Sequence, residues 1–205
     1  MMTRNAADSR TLSADDKKRI RKLLEHECDY IMPEKIADEF LDAGEIIEVK
    51  KWDNVISSGD MNPDIYVVIE GILRCWYWDD DREITAFFST LPTMAINYHT
   101  YYANKPSFYN FQACTPAKLL HIKKEIFDSL VERLPEFARW NLRVAQNQLY
   151  YLELKRDLNQ GKAKDKYLSL VRELPDIMNS VPLQIVASYL GITPQHLSRL
   201  RRSLL

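Results

Sequence analysis

The stretch "IVASYLGITPQHLSRLRR", residues 185–202, contains two short amphipathic segments separated by a break. Gly191 ends the first segment. Thr193 and Pro194 open the second, because threonine caps helices well and proline fits their first turn. Two short helices joined by a turn of about three or four residues that contains glycine are typical of a helix-turn-helix. The second helix of this motif enters the DNA major groove, so the stretch predicts a DNA-binding domain.

The apolar residues of this motif can form a small core, which leaves its polar residues facing outward. The predicted core comprises Ile185, Val186, Leu190, Ile192, Leu197 and Leu200. The predicted DNA-binding residues are Thr193, Gln195, His196, Ser198, Arg199 and Arg202. Gln195 and Arg199 lie one helical turn apart, and such side chains pair bidentately with adenine and guanine edges. We expect these two to read bases and Arg202 to contact the phosphate backbone.

The charge of the chain is distributed unevenly along its length. The whole chain of 205 residues carries a formal charge of -1, yet residues 159–205 hold seven basic and three acidic side chains. A positive segment is where a polyanion such as DNA would dock. The charge distribution therefore agrees with the predicted DNA-binding domain.

Composition is typical of a folded globular protein, with 46% hydrophobic and 28% charged residues. No apolar run approaches the roughly 20 residues of a membrane helix, and no basic-then-apolar leader opens the chain, so we expect a cytoplasmic protein. The three cysteines lack a C-x-x-C pattern, and we interpret them as packing residues. The four histidines are scattered without ligand spacing, which predicts no metal and no cofactor.

The middle of the chain has the pattern of short strands. Ser13 and Pro33 mark the starts of two N-terminal helices, the second ending before Gly44. Stretches rich in β-branched and aromatic residues, bounded by turn signals, follow at 45–51, 64–70, 72–78, 83–88, 108–113 and 118–122. Several short strands at hairpin spacing predict an antiparallel barrel or sandwich.

A long helix is predicted at 135–160, because Pro135 suits a first turn and no glycine or proline follows until Gly161. One apolar seam on it has alternating spacings of three and four, as in a coiled coil, and is the predicted dimer interface. This seam comprises Phe137, Trp140, Val144, Asn147, Tyr151, Leu154 and Leu158. A second stripe comprises Leu142, Ala145, Leu149 and Leu152. Two apolar faces require two partners: the chain's own β-domain and the same helix of a second copy.

The segments "SSGDMNPDIYVVIEGILRCWYW" (57–78) and "VPLQIVASYLGITPQHLSRLRRSL" (181–204) resemble the β-roll and the C-terminal helix-turn-helix of the Crp/Fnr family of bacterial transcription regulators. The resemblance implies an α+β chain with an antiparallel, cyclic-nucleotide-binding-like β-roll and flanking helices at 1–134, a dimerisation helix at 135–160 and a helix-turn-helix domain at 161–205. It implies a homodimer bound to double-stranded DNA, in which an effector reorients the DNA-binding domains through the long helices. RNA polymerase and an unidentified small-molecule effector are further candidate partners.

The chain departs from this family where cyclic nucleotides are held. Cyclic-nucleotide binders of the family hold the phosphate with a Gly-Glu turn and a following arginine. Residues 93–113 here contain no glycine, glutamate or arginine, and Lys105 is their sole positive side chain apart from histidine. We therefore expect no tight binding of cyclic AMP. The candidate effector pocket comprises Tyr98, Tyr101, Tyr102, Lys105, Phe108 and Phe111, although these aromatic residues could equally fill the roll.

Two other classes of protein share parts of this sequence pattern. A cupin-like enzyme would need histidine and carboxylate ligands on adjacent strands, and only His99 and His121 lie near that region. No catalytic triad, P-loop or paired-carboxylate motif occurs, so we expect no enzymatic activity. A small-ligand-binding β-barrel module without DNA function would not account for the helix-turn-helix.

Overall fold

The computed structural model describes residues 12–90, 92–160 and 163–204, without the side chains of residues 26–27 and 154–160. The described helices are α1 (Ala14–Cys28), α2 (Glu34–Asp42), α3 (Tyr98–Ala103), α4 (Lys124–Arg133), α5 (Pro135–Gln160), α6 (Ala163–Glu173), α7 (Pro175–Ser180), α8 (Leu183–Leu190) and α9 (Pro194–Leu204). The strands are β1 (Glu45–Val49), β2 (Asn54–Ile56), β3 (Ile65–Glu70), β4 (Leu73–Asp79), β5 (Arg82–Ser89), β6 (Met94–Ile96), β7 (Asn110–Ala113) and β8 (Ala117–Ile122). The predicted α+β fold class is confirmed. Within these described ranges, no helix combines the length and the apolar character needed to cross a bilayer.

Two four-stranded antiparallel sheets form the β-roll, in the orders β1-β8-β3-β6 and β2-β7-β4-β5. Their apolar side chains pack together between the sheets and fill the roll. The largest of these side chains belong to Ile56, Tyr66, Val68, Leu73, Phe111 and Leu119. All six predicted strands are present. The sequence does not predict β2 and β6, because three residues are too few for an alternating pattern to appear.

A second core joins the N-terminal helices to α4 and the first half of α5. The Phe40 ring of α2 lies 5.0 Å from the ring of Phe137 and 5.3 Å from that of Trp140. Phe137, Trp140 and Val144 are 0–1% exposed within the chain itself. These three residues were predicted to face a second copy, and the structure corrects that assignment. The spacing that produces an apolar stripe does not identify its partner, which here is α1, α2 and α4.

A third core lies between the C-terminal helices and extends into the β-roll. Leu170, Ile177, Val186 and Leu190 pack with Leu197 of α9, and the roll contributes Ile72 and Cys114. The Phe88 ring of β5 lies 5.1 Å from the Tyr189 ring of α8. The C-terminal helices are therefore packed against the sheet that contains β4 and β5.

Ser188 of α8 connects these two parts by hydrogen bonds. Its hydroxyl accepts from the backbone N–H of Thr85 at 2.9 Å and donates to the carbonyl of Glu83 at 2.7 Å. Because β5 is the outer strand of its sheet, no strand among the described residues pairs with these backbone groups. The Ser188 side chain supplies the missing partner.

Candidate DNA-binding surface

The helix-turn-helix is built from local signals that the sequence displays. Gly191 ends α8 in the left-handed conformation at φ 69°, which glycine adopts without strain, and its N–H donates to the carbonyl of Ser188 at 3.1 Å. Thr193 caps α9, because its hydroxyl accepts from the N–H of His196 at 3.1 Å. These two devices fix the turn between the helices.

Burial within the motif follows the predicted core closely. Leu197 is fully buried, and Ile185, Val186 and Leu190 are at most 9% exposed. Ile192 is partly buried against the same cluster. Leu200 is half-buried, on the side of α9 that carries the core.

The outward side of α9 is an open depression lined by Pro194, Gln195, Ser198, Arg199 and Arg202. Four of the six predicted DNA-binding residues therefore lie together on one surface. His196 is exposed but lies beside this depression, and the Thr193 hydroxyl is already used as the helix cap. We refer to the five lining residues as the reading face.

The arginines of the reading face are available to a ligand. Arg199 and Arg202 are exposed, and no carboxylate in the described part of the chain forms an ion pair with either. Arg201 is also exposed, although it lies about 200° around the helix axis from Arg199. The chain thus presents positive charge on the surface that carries Gln195.

The six candidate effector residues differ in their surroundings. Phe111 is 2% exposed inside the roll, where its ring lies 6.0 Å from that of Phe87. Phe108 is 54% exposed and stacks on His99 at 3.9 Å, and Lys105 is exposed. Phe111 thus fills the core of the roll, and a pocket formed by the other five residues stays a prediction.

The three tyrosines among these six residues form a cluster on the short helix α3. The Tyr101 hydroxyl donates to the carboxylate of Asp128, and the Lys124 ammonium lies 4.5 Å from the centre of the Tyr101 ring. Burial and the Asp128 carboxylate raise the pKa of Tyr101 above its ordinary value, so this hydroxyl remains a donor. The Tyr98 and Tyr102 rings stack at 5.8 Å on the outer side.

The exposed apolar face of α5 belongs mainly to the second predicted stripe. Leu142, Leu149 and Leu152 are 59%, 62% and 56% exposed, while Ala145 is half-buried. From the seam predicted as the dimer interface, Tyr151 is 55% exposed and Asn147 half-buried. The seam residues Leu154 and Leu158 lie outside the residues whose side chains the structure describes.

Sequence reasoning missed a polar cluster around the buried His121. Its Nε2 lies 2.8 Å from a carboxylate oxygen of Asp64, its Nδ1 lies 3.2 Å from one of Glu45, and its ring stacks on Tyr66 at 4.9 Å. Asp64 also accepts from the backbone N–H of Lys124 and so caps α4. Among the described residues no set of three histidine, cysteine, aspartate or glutamate side chains could hold a metal ion.

The cysteines behave as packing residues. Cys75 and Cys114 are buried, and the half-buried Cys28 directs its thiol at the carbonyl of Leu24 at 3.6 Å. Burial raises the pKa of Cys114 to about 11, so its reactive thiolate is scarce at neutral pH.

Three solved structures share this architecture. A CooA mutant from Carboxydothermus hydrogenoformans aligns with TM-score 0.63 and 16% identity over 88% of this chain and 83% of its own. The c-di-GMP responsive global regulator CLP of Xanthomonas campestris aligns with TM-score 0.66 and 17% identity over 84% and 91%. FixK2 of Bradyrhizobium japonicum aligns with TM-score 0.65 and 15% identity over 78% and 84%.

These alignments cover most of both chains at low sequence identity, and they show a shared fold. The predicted order of β-roll, long helix and helix-turn-helix is confirmed at that level. No protein-family profile and no curated protein matches the sequence.

Proposed function

We propose that this chain is a sequence-specific, DNA-binding transcription regulator of the Crp/Fnr type that acts as a homodimer. The observation that carries the proposal is the reading face of α9, where Gln195 and Arg199 lie one turn apart beside an open depression. In this proposal residues 1–134 form the effector-type β-roll domain, 135–160 the dimerisation helix and 161–205 the DNA-binding domain. A cytoplasmic location and a contact with RNA polymerase belong to the same proposal.

The side chains of the reading face suit different parts of DNA. An arginine pairs bidentately with guanine and a glutamine with adenine in the major groove, so Gln195 and Arg199 read base edges. Arg202 lies a further turn from the helix start and contacts a phosphate, which adds affinity without sequence preference. In a twofold dimer the two recognition helices lie about 34 Å apart, which requires a palindromic operator.

Dimerisation uses the leucine stripe of α5. Leu142, Leu149 and Leu152 are more than half exposed in the single chain and have the a/d spacing of a helix pair. Covering them with the same stripe of a second copy removes apolar surface from water on both sides. The seam residues Phe137, Trp140 and Val144 are not part of this interface, because the chain's own core already buries them.

An effector of this regulator would be something other than cyclic AMP. The interior of the roll is filled by side chains such as Phe111 and Tyr66, and residues 93–113 provide no arginine for a cyclic phosphate. The neighbour CLP is described as responsive to c-di-GMP, which is a property of that protein.

The test begins with selection of bound sequences from random DNA with the purified full chain. The selected operator then serves in titrations against a series of base-pair substitutions. We expect Arg199→Ala to weaken binding by about 1–3 kcal/mol and to relax preference at one base pair per half-site. We expect Arg202→Ala to weaken binding to all sequences and to reduce the salt dependence by about one unit per site.

Arg201→Ala is the matched control, because Arg201 is exposed on α9 but points away from the reading face. It should leave the sequence preference unchanged. If Arg199→Ala lowers affinity equally for every sequence, Arg199 is a phosphate contact and the assignment of the reading face is wrong. If no sequence is enriched in the selection, the proposed function itself fails.

A further inference from the structure

The outer side of α3 exposes two stacked aromatic rings. Tyr102 is 79% exposed and Tyr98 is 42% exposed, and their rings lie 5.8 Å apart at an interplanar angle of 17°. Exposed aromatic rings are costly to leave in water and are enriched where a protein surface meets a partner. We call these two residues the tyrosine pair.

The tyrosine pair is held in a fixed position on the chain. Tyr101, between the two, is anchored inward by its hydrogen bond to Asp128 and by the Lys124 ammonium over its ring. Asn104 ends α3 in the left-handed conformation, and its N–H donates to the carbonyl of Thr100 at 3.1 Å. A rigid surface loses little conformational entropy when a partner covers it.

A hydrogen bond places the tyrosine pair against α5. The Tyr98 hydroxyl donates to the side-chain oxygen of Gln148 at 3.3 Å. Gln148 lies three positions after Ala145 and four before Leu152, so all three occupy the same side of the helix. The tyrosine pair therefore lies along the flank of the leucine stripe that the proposed homodimer covers.

The leucine stripe alone is small for a stable dimer. Stable interfaces bury about 800 Å² on each partner, and three half-exposed leucines supply only a fraction of that area. Complete burial of an aromatic side chain removes about 150–250 Å² from water, and Tyr102 and Tyr98 still expose 79% and 42% of their surface. The tyrosine pair is thus a substantial addition to the apolar surface that the described part of α5 offers.

We propose that the tyrosine pair is the outer part of the homodimer interface and packs against α5 of the second copy. The inference rests on the proposed homodimer. When a twofold axis runs along the two α5 helices, equal residues lie at the same level. Tyr98, which contacts Gln148, and Tyr102, which stacks on Tyr98, then face residues 145–152 of the second copy. In this chain the side chains of α3 thus contact the partner helix directly and stabilise the dimer.

The experiment measures dimer dissociation of the full chain by sedimentation equilibrium. Leu149→Asp tests the leucine stripe, and we expect it to give a folded monomer. Tyr102→Asp tests the tyrosine pair, and we expect the dissociation constant to rise about tenfold or more. Tyr102→Phe keeps the ring and should leave the dissociation constant of the unmodified protein unchanged. Trp78→Asp alters another exposed aromatic residue, 59% exposed on β4, and should change the dissociation constant less than about twofold.

The outcomes separate the two proposals. A monomeric unmodified protein overturns the homodimer and this inference together. A dimer that Leu149→Asp dissociates but Tyr102→Asp leaves unchanged overturns the inference alone. Circular dichroism and thermal melting of Tyr102→Asp show whether the variant is folded, and its 79% exposure predicts that it is.

A second measurement identifies the contact without a destabilising substitution. A photo-crosslinking phenylalanine analogue at position 102 is activated in a mixture of 14N- and 15N-labelled chains. We expect mixed-isotope crosslinks to peptides that contain residues 145–152. Crosslinks confined to a single isotope, or to peptides outside α5, would show that the tyrosine pair does not meet the second copy.

Discussion

Substitution of Ser188 by alanine should loosen the attachment of the C-terminal helices to the β-roll. The Ser188 hydroxyl makes two hydrogen bonds to the outer edge of β5, with the Thr85 N–H and the Glu83 carbonyl. A typical hydrogen bond contributes about 0.5–1.5 kcal/mol net, so the loss should be about 1–3 kcal/mol. That free energy corresponds to about a 5- to 150-fold rise in the population of undocked chains.

Amide hydrogen exchange measures this effect at the residue concerned. The Thr85 amide should exchange faster in Ser188→Ala by a factor in that range, because its partner is gone and the edge of β5 opens to water. The packing of Phe88 on Tyr189 is retained, so the helices should remain folded. Far-UV circular dichroism of the variant checks that expectation.

Ser203→Ala serves as the matched control for this prediction. The Ser203 hydroxyl donates to the carbonyl of Leu200 within α9, at 2.8 Å. Its loss should leave the Thr85 amide as protected as in the unmodified protein. If Ser188→Ala also leaves Thr85 protection unchanged, the contact between α8 and β5 does not hold the two parts together.

Three further predictions follow from burial and charge. Leu197→Ala should destabilise the C-terminal helices by about 2–5 kcal/mol in chemical denaturation, because this side chain is fully buried, whereas the half-buried Leu200→Ala should cost less. Cyclic AMP should show no micromolar binding by calorimetry, since residues 93–113 provide neither arginine nor glycine for its phosphate; a micromolar dissociation constant would contradict this. Cys114 has a pKa raised by burial from about 9 to about 11, so the folded state binds its proton more tightly than the unfolded state does. The contribution of the Cys114 proton to the free energy of unfolding is therefore full below pH 9 and declines as pH rises towards 11. Chemical denaturation across that range should show this decline, and a Cys114→Ala variant should lack it.

The helix-turn-helix could be predicted because its determinants are local in sequence. Gly191 supplies the left-handed residue, Thr193 the cap, and the apolar spacing the core, all within one short stretch. Each of these features acts through neighbours a few residues away. The orientation of the reading face followed from the same periodicity.

The cluster around His121 could not be predicted, because it depends on strand register. Glu45 lies directly opposite His121 on β1, and Tyr66 lies opposite it on β3. The pairing brings together residues more than fifty positions apart in sequence. No local pattern specifies which residues of two strands are opposite one another.

The short helix α3 was also missed, for a different reason. Tyr98–Ala103 is only six residues long, which is below the length at which helical periodicity becomes visible. Its ends are set by side-chain and backbone contacts, such as the bond from Asn97 to the Thr100 hydroxyl at 2.6 Å. The sequence showed many aromatic residues there but not that a helix would direct Tyr101 inward and Tyr102 outward.

The two faces of α5 show what heptad spacing can and cannot decide. Both stripes repeat at three and four residues, so each fits a coiled-coil seam equally well. Large aromatic rings at Phe137 and Trp140 need a deep core on several sides, which α2 and α4 provide within the chain. Leucines at 142, 149 and 152 suit the shallower knobs-into-holes contact of a helix pair. Neither spacing nor side-chain size alone distinguishes the two faces, because Val144 is buried within the chain whereas the larger Tyr151 of the same seam is 55% exposed.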